Sequence, residues 1–173
     1  MAEKKIDSSK SVSNIDEKWL NKKVNIYLEK IIPTSDQINL LYLQLEERSH
    51  NISHEVLPSF EKHKDFVKNN PYRAWFIVKH ESTFIGNIYI QFDNSVGLNL
   101  GENITSFHIQ KILSLIYSQL SPLESVPSSR RGSYFVNVPS SNISLQKKLN
   151  LIKCTEIQRA YILPDYLNVK KSK

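Results

Sequence analysis

The sequence predicts one mixed α/β (α+β) domain, a mostly antiparallel central sheet flanked by helices. Three observations carry that expectation. Stretches whose apolar residues recur at helical spacing alternate with short strand-like runs, and no segment repeats. Three of the strand-like runs follow one another through turns too short for anything but antiparallel neighbours. With 173 residues, 40% of them hydrophobic and 23% charged, the chain can bury a core without disulfides or metal.

Residues 1–23 are rich in Lys, Ser and Asp with little periodicity and read as a mobile arm, Trp19 and Leu20 docking on the domain. The domain then spans 24–163, and a basic tail fills 164–173. Val24–Ile32 alternates as a strand ended by Pro33. Thr34 or Ser35 caps a helix through Ile38, Leu41, Tyr42 and Leu45, closed by Glu46, Glu47 and Arg48. After a polar loop, Pro58 and Ser59 start a second helix with Phe60, His63, Phe66 and Val67 on its apolar side, stopped by Asn69, Asn70 and Pro71. Strands at Ala74–Lys79, Ile85–Phe92 and Val96–Leu100 follow. A central helix carries Ile109, Ile112, Leu113, Ile116 and Leu120 on one face. Ser121–Arg131, with two prolines and four serines, reads as a loop, and Ser133–Val138 as a further strand. A short helix buries Leu145, Leu149 and Ile152, and Thr155–Leu163 is expected as a last strand.

Composition sets limits on function. A single cysteine, Cys154, excludes an internal disulfide framework and reads as a small buried apolar residue in a reducing compartment. No apolar run approaches a membrane span and the first residues lack a signal-peptide core, which points to the cytoplasm. A net charge of +6 favours anionic partners without choosing among nucleic acid, cofactor and substrate. There is no Ser-hydrolase elbow, Walker loop or His-Glu-x-x-His.

Ser95–Gln119 is the chemically suggestive stretch. A strand, a tight polar loop and a helix N-terminus bring free backbone N–H groups and the positive end of the helix dipole to one place, where a phosphate can be held. No glycine lies between Glu102 and Arg131 to let a ligand approach that backbone closely.

The element order, and the segments RSHNISHEVLPSFEKHKDFVKNNPYRAWFIVKHESTFIGNIYI (48–90) and VNVPSSNISLQKKLNLIKCTEIQRAY (136–161), resemble the GNAT acyltransferases, in particular a bacterial subgroup associated with surface-sugar biosynthesis. The resemblance covers roughly Val24–Leu163. It implies a sheet that splays between its fourth and fifth strands to admit acetyl-CoA (acyl-CoA), with the pantetheine amides pairing with the strand containing Leu98, Asn99 and Leu100. It also implies a pyrophosphate seated on Thr105, Ser106, Phe107, His108, Ile109 and Gln110, and a CoA contact at Asn142. Thr105, His108 and Gln110 occupy positions where the family carries a Gln or Arg and small residues, and Ser106 stands where a glycine is frequent, so the loop is degenerate in family terms. Direct hydrogen bonds from Thr105, Ser106 and a protonated His108 are one way to replace the backbone cradle. Lys153 and Cys154 stand where the family usually has Gly-Phe, and Leu149 where many members keep a tyrosine acid. A thiolate with a pKa of about 8.5 departs near neutrality without that acid.

The reaction implied is direct attack of an amine on the thioester, with the oxyanion held by a backbone N–H near Leu98–Leu100. The fourth strand carries no carboxylate, so the acceptor side must supply the base. His54 and Glu55 are the candidates, with Glu46 and Glu47 behind them. His50 and His54 lack a third ligand, so no metal site is expected. His63 reads as a hydrogen-bonded core residue, and Trp75 and Tyr89 as core or groove wall. The expected acceptor is a small-molecule amine, such as an amino sugar carried on a nucleotide. The expectation includes no membrane partner, leaves room for a homodimer, and ranks nucleic-acid binding through the basic tails third. Its alternative is a GNAT-fold protein that has lost catalysis and serves as a binding or scaffold module.

Overall fold

A computed structural model describes residues 25–48 and 56–161. Their element order is β1 (Ile26–Lys30), α1 (Ser35–Glu46), α2 (Phe60–Asn69), β2 (Ala74–His80), β3 (Thr83–Ile90), β4 (Ser95–Leu100), α3 (Ser106–Gln119), β5 (Phe135–Val136) and α4 (Ile143–Leu151). The strands form one sheet in the order β1-β2-β3-β4-β5. The first four are antiparallel neighbours, and β5 alone runs parallel to β4. This is a mixed α+β fold, and its element order is the one expected from the sequence as far as α4.

Each helix starts where a side-chain oxygen meets an otherwise unpaired N–H. Thr34 accepts from Gln37 N, Ser59 from Lys62 N, Thr105 from His108 N and Asn142 from Leu145 N. Strand alternation then decides the layers. Trp75 and Ile77 of β2 point to the face covered by α1 and α2, where they pack with Ile31, Ile38, Leu41 and Val67. Val78, Ile88, Ile90 and Val96 point the other way and meet Ile112 and Ile116 of α3. A smaller cluster of Ile104, Ile109 and Leu149 joins α4 to α3 beyond the β4 edge.

Two backbone devices position the part of the sheet that matters below. Gly86 sits at φ +145°, beside a register shift between Val78 and Lys79 on the neighbouring strand. A Cβ at this position would collide with the Asn99 carbonyl and Leu100 Cα of β4, so only glycine lets β3 and β4 close here. Asn94, fully buried at φ 71°, turns the chain into β4 and holds the 121–131 loop. Its Nδ2 donates to the carbonyls of Leu123 (2.8 Å) and Arg131 (2.6 Å), and its Oδ1 accepts from Leu123 N (2.8 Å). Its own carbonyl accepts from Phe135 N, which sets β5 alongside β4.

Three expectations are corrected. Thr155–Leu163 does not form a last strand: residues 155–161 carry no strand and lie exposed, and 162–163 fall outside the described residues. Alternating residues become a strand only when a ladder partner accepts their N–H and C=O groups, and no described strand runs beside this segment. The strand expected over Ser133–Val138 shortens to Phe135–Val136. Cys154 is exposed rather than buried, because the chain has left the core after α4. Residues 1–23 and 164–173 lie outside the described residues. Among the described residues no helix is long and apolar enough to cross a membrane.

Candidate functional site

The site begins where the sheet opens. Pairing between β4 and β5 extends only over Ser95–Phe135 and Val96–Val136. Backbone parity shows what lies beyond. Gln91 N donates to Ser95 O, and Gly101 N to Ile85 O, so odd-numbered residues of this stretch turn their polar backbone groups toward β3. The amides and carbonyls of Leu98 and Leu100 therefore point to the opposite side, past the end of β5, into the gap between the strands.

A cavity of about 570 Å³ extends from this gap across the sheet to the α1–α2 side. Leu98, Asn137, Pro139, Asn142 and Leu145 line it where β4, β5 and α4 diverge. Its other half lies over β2 and β3, under the C-terminal end of α1 and the start of α2, and is walled by Trp75, Tyr72, Tyr89 and Phe66. Phe60 and Phe66, expected on the apolar side of α2, keep 37% and 42% exposure, and Phe66 reaches this wall through edge contacts with Tyr72 and Trp75.

A buried polar chain stiffens the floor. Trp75 Nε1 donates to Asn87 Oδ1 (2.9 Å), Asn87 Nδ2 donates to Gln44 Oε1, and Gln44 Nε2 donates to the Asn99 carbonyl (2.6 Å). Asn99 Nδ2 returns to Asn87 Oδ1 at 3.3 Å. Every member is satisfied, so the chain ties α1, β2, β3 and β4 together at low desolvation cost. Beside it Tyr72 and Tyr89 stack with centroids 4.2 Å apart and an interplanar angle of 17°. The Tyr89 ring lies flat over its cross-strand partner Gly97, which has no side chain to prevent it.

Arg48, half-buried just after α1, lines the same half of the cavity. Burial lowers its guanidinium below the usual value, and the nearby Tyr89 and Tyr72 hydroxyls oppose that shift. An arginine still keeps its charge throughout the physiological range. Burial, followed by Tyr89, pushes Tyr72 up to about 12 against the influence of Arg48, and burial raises Tyr89 as well. Both phenols therefore stay protonated near neutrality and present O–H donors. His63, 6% exposed, also borders the cavity. Burial pushes its imidazole toward the neutral form, against a hydrogen bond to the Ile38 backbone that favours the charged one. Its Nε2 is buried without a hydrogen-bond partner.

Of the residues expected to meet a cofactor, Leu98, Asn99 and Asn142 line the cavity. Leu100, Thr105, Ser106, Phe107, His108, Ile109 and Gln110 do not. Ile109 is 1% exposed and packs into the core. Thr105 and His108 engage each other in a capping box: Thr105 N donates to His108 Nδ1 (3.2 Å) and His108 N to Thr105 Oγ1 (3.4 Å). The His108 ring also meets His80 edge-on at 5.3 Å. Accepting from Thr105 N requires Nδ1 to be unprotonated, so a doubly protonated His108 would give up this bond. The box leaves the Ser106 and Phe107 amides as the remaining donors of the first turn.

His50, His54 and Glu55 lie outside the described residues. Glu46 lines the cavity, whereas Glu47 forms the C-cap of α1. Among the described residues no group of three or more His, Cys, Asp or Glu side chains is placed to hold a metal. Sequence reasoning missed Arg48, Tyr72, Asn87 and Gly97 as site residues. Two signals were present: a polar residue at a core-facing strand position, Asn87, and a glycine inside a strand, Gly97, which marks a close approach.

No protein-family model matches the chain. No curated protein matches it either. A solved structure described as a possible acetyltransferase from Clostridium difficile 630 is similar to this chain at 11% identity and a TM-score of 0.44, over 80% of this chain and 98% of its own.

Proposed function

We propose that this chain is a GNAT-type acyltransferase that moves an acyl group, acetyl in the simplest case, from acyl-CoA to the primary amine of a small molecule within a ternary complex. The observation that carries the reading is the continuity of the cavity. It joins the opening between β4 and β5 to the aromatic half over β3, so groups bound in the two halves can meet beside Leu98.

The residues present fit the pantetheine arm of acyl-CoA, since the backbone groups of Leu98 and Leu100 face the gap and Asn142 and Leu145 line it. Bound acyl-CoA supplies an activated thioester. The chain's own part is to orient and to stabilise: the Leu98 amide is the proposed donor to the developing oxyanion. The proposed proton acceptor for the amine stays with His54 and Glu55, next in sequence to Val56, which lines the cavity. The finer reading, acetyl transfer to an amino sugar on a nucleotide, rests on the sequence resemblance. So do the phosphate contacts proposed for Thr105–Gln110.

A second reading, a GNAT-fold binding module without catalysis, is favoured by the Thr105–His108 capping box, which consumes two of the donors a pyrophosphate would use. Thermal unfolding against increasing acetyl-CoA separates the two. The first reading requires a midpoint that keeps rising with ligand above its Kd, by about 2.7 kcal/mol of stabilisation at a hundredfold excess. An unmoved midpoint at millimolar acetyl-CoA would sink it.

A further inference from the structure

We infer that the aromatic half of the cavity is a subsite for an oxyanion, a carboxylate or phosphate group carried by the acceptor, with Arg48 as its anchor. The inference rests on the acyltransferase reading for the word acceptor, and on the cavity alone for the anion.

Four observations converge. Arg48 is half-buried and lines the cavity, whereas most arginines keep their charge fully in solvent. The ion pairs among the described residues, Lys64–Glu61, Lys79–Glu29 and Arg159–Glu156, leave Arg48 outside them, so none of its five donors is committed to a carboxylate of the described residues. Partial burial of a guanidinium outside any ion pair of the described residues is costly, and an anionic ligand lowers that cost when it binds. Tyr72 and Tyr89 add two hydroxyl donors within electrostatic reach of the guanidinium. Their stacked rings, with Trp75, supply flat apolar walls for the ring of an acceptor.

The charges around the subsite indicate how such an acceptor would lie. Lys62, on the first turn of α2, borders the same cavity and adds to the positive field. Glu46, two residues before Arg48, also borders it and carries the opposite charge. A molecule bearing both an ammonium and an oxyanion complements this pair, its anion on Arg48 and its amine toward Glu46. An amine without an anionic group makes no use of Arg48. The forked geometry of a guanidinium suits bidentate contact with either a carboxylate or a phosphate.

The test uses the full chain and small probes that match the subsite: phenyl phosphate, phenylacetate and, as the neutral control, benzyl alcohol. Thermal unfolding is followed against each probe for wild type, Arg48→Gln and Arg48→Lys. The expected result is stabilisation by one or both anionic probes, with the stronger one identifying phosphate or carboxylate as the preferred group, and none by the alcohol at equal concentration. Arg48→Gln should weaken anion binding by about tenfold or more, with Arg48→Lys intermediate because it keeps the charge and loses the fork. Unchanged affinity in Arg48→Gln, equal response to the alcohol, or no response to either anion overturns the proposal. Acetyl-CoA titrated into the same variants keeps the two readings apart. A retained acetyl-CoA response shows that Arg48→Gln still folds and binds cofactor, whereas anion binding without any acetyl-CoA response removes the enzyme reading and leaves the subsite standing.

Discussion

Substituting Gly97 by alanine gives a sharp test of how the site is built. By local propensity the change should help, since alanine in a strand interior is favoured over glycine by roughly 0.5–1 kcal/mol. The tertiary surroundings reverse the sign. An added Cβ falls within 2.5 Å of three carbons of the Tyr89 ring. Carbon–carbon contacts settle at about 3.5–4.0 Å, so the ring must retreat by about 1 Å or more. It has nowhere to go without disturbing the Tyr72 stack at 4.2 Å. Overpacking costs about 1–3 kcal/mol and a lost aromatic pair about 0.5–1.5. We expect Gly97→Ala to destabilise by about 2–4 kcal/mol, a fall in Tm of roughly 5–15 °C for a chain of this size. Urea unfolding of Gly97→Ala, Tyr89→Ala and the double variant closes a cycle. With the Tyr89 ring removed, adding the methyl should cost less than about 0.5 kcal/mol. A similar cost in both backgrounds, or a stabilised Gly97→Ala, would refute the reasoning.

Other perturbations reach different links. Asn94→Ala removes three side-chain hydrogen bonds at a fully buried residue and places alanine at φ 71°, which should cost about 3–5 kcal/mol. Amide exchange should accelerate at Phe135 and Val136 before β2 and β3 respond, and unaltered protection there would show that Asn94 does not hold β5. His63 provides a pH dependence whose sign follows from burial. Its folded value lies below the ordinary 6.5, so the unfolded chain takes up the proton first as pH falls. The stability attached to the neutral ring is complete above about pH 6.5 and declines below it, with a slope approaching at most about 1.4 kcal/mol per pH unit. Glu29, whose carboxyl is held below 4.5 by hydrogen bonds from Lys79 and Gln37, loses its contribution only at lower pH, so the two windows separate. Urea midpoints between about pH 5 and 7.5 should slope in wild type and flatten in His63→Leu, and parallel profiles would exclude His63 as the source.

The local features of the fold were legible in the sequence because each is decided by residues close together in the chain. Thr34, Ser59 and Asn142 cap helices whose apolar spacing is plain, and the turns at Glu81 and Asn94 leave β2, β3 and β4 no alternative to antiparallel pairing. The capping box at Thr105 was less legible, since its third residue is histidine rather than the usual Glu or Gln. A final strand at Thr155 was wrongly expected, because alternation specifies a strand only if a partner edge exists, and partner edges are tertiary. The candidate site belongs to that second category throughout. Arg48, Tyr72, Tyr89, Gly97 and Leu98 come from the end of α1, the approach to β2, and strands β3 and β4. Nothing in their spacing announces that they share one cavity. Sequence alone determined where the four helices and the first four strands lie. Only the tertiary structure decided that β5 stops at Val136, that the gap beyond it joins a chamber over β3, and that a charged arginine faces into it. The physical reason is range: propensity, capping and periodicity act over a few residues, whereas a cavity is defined by where distant elements fail to pack.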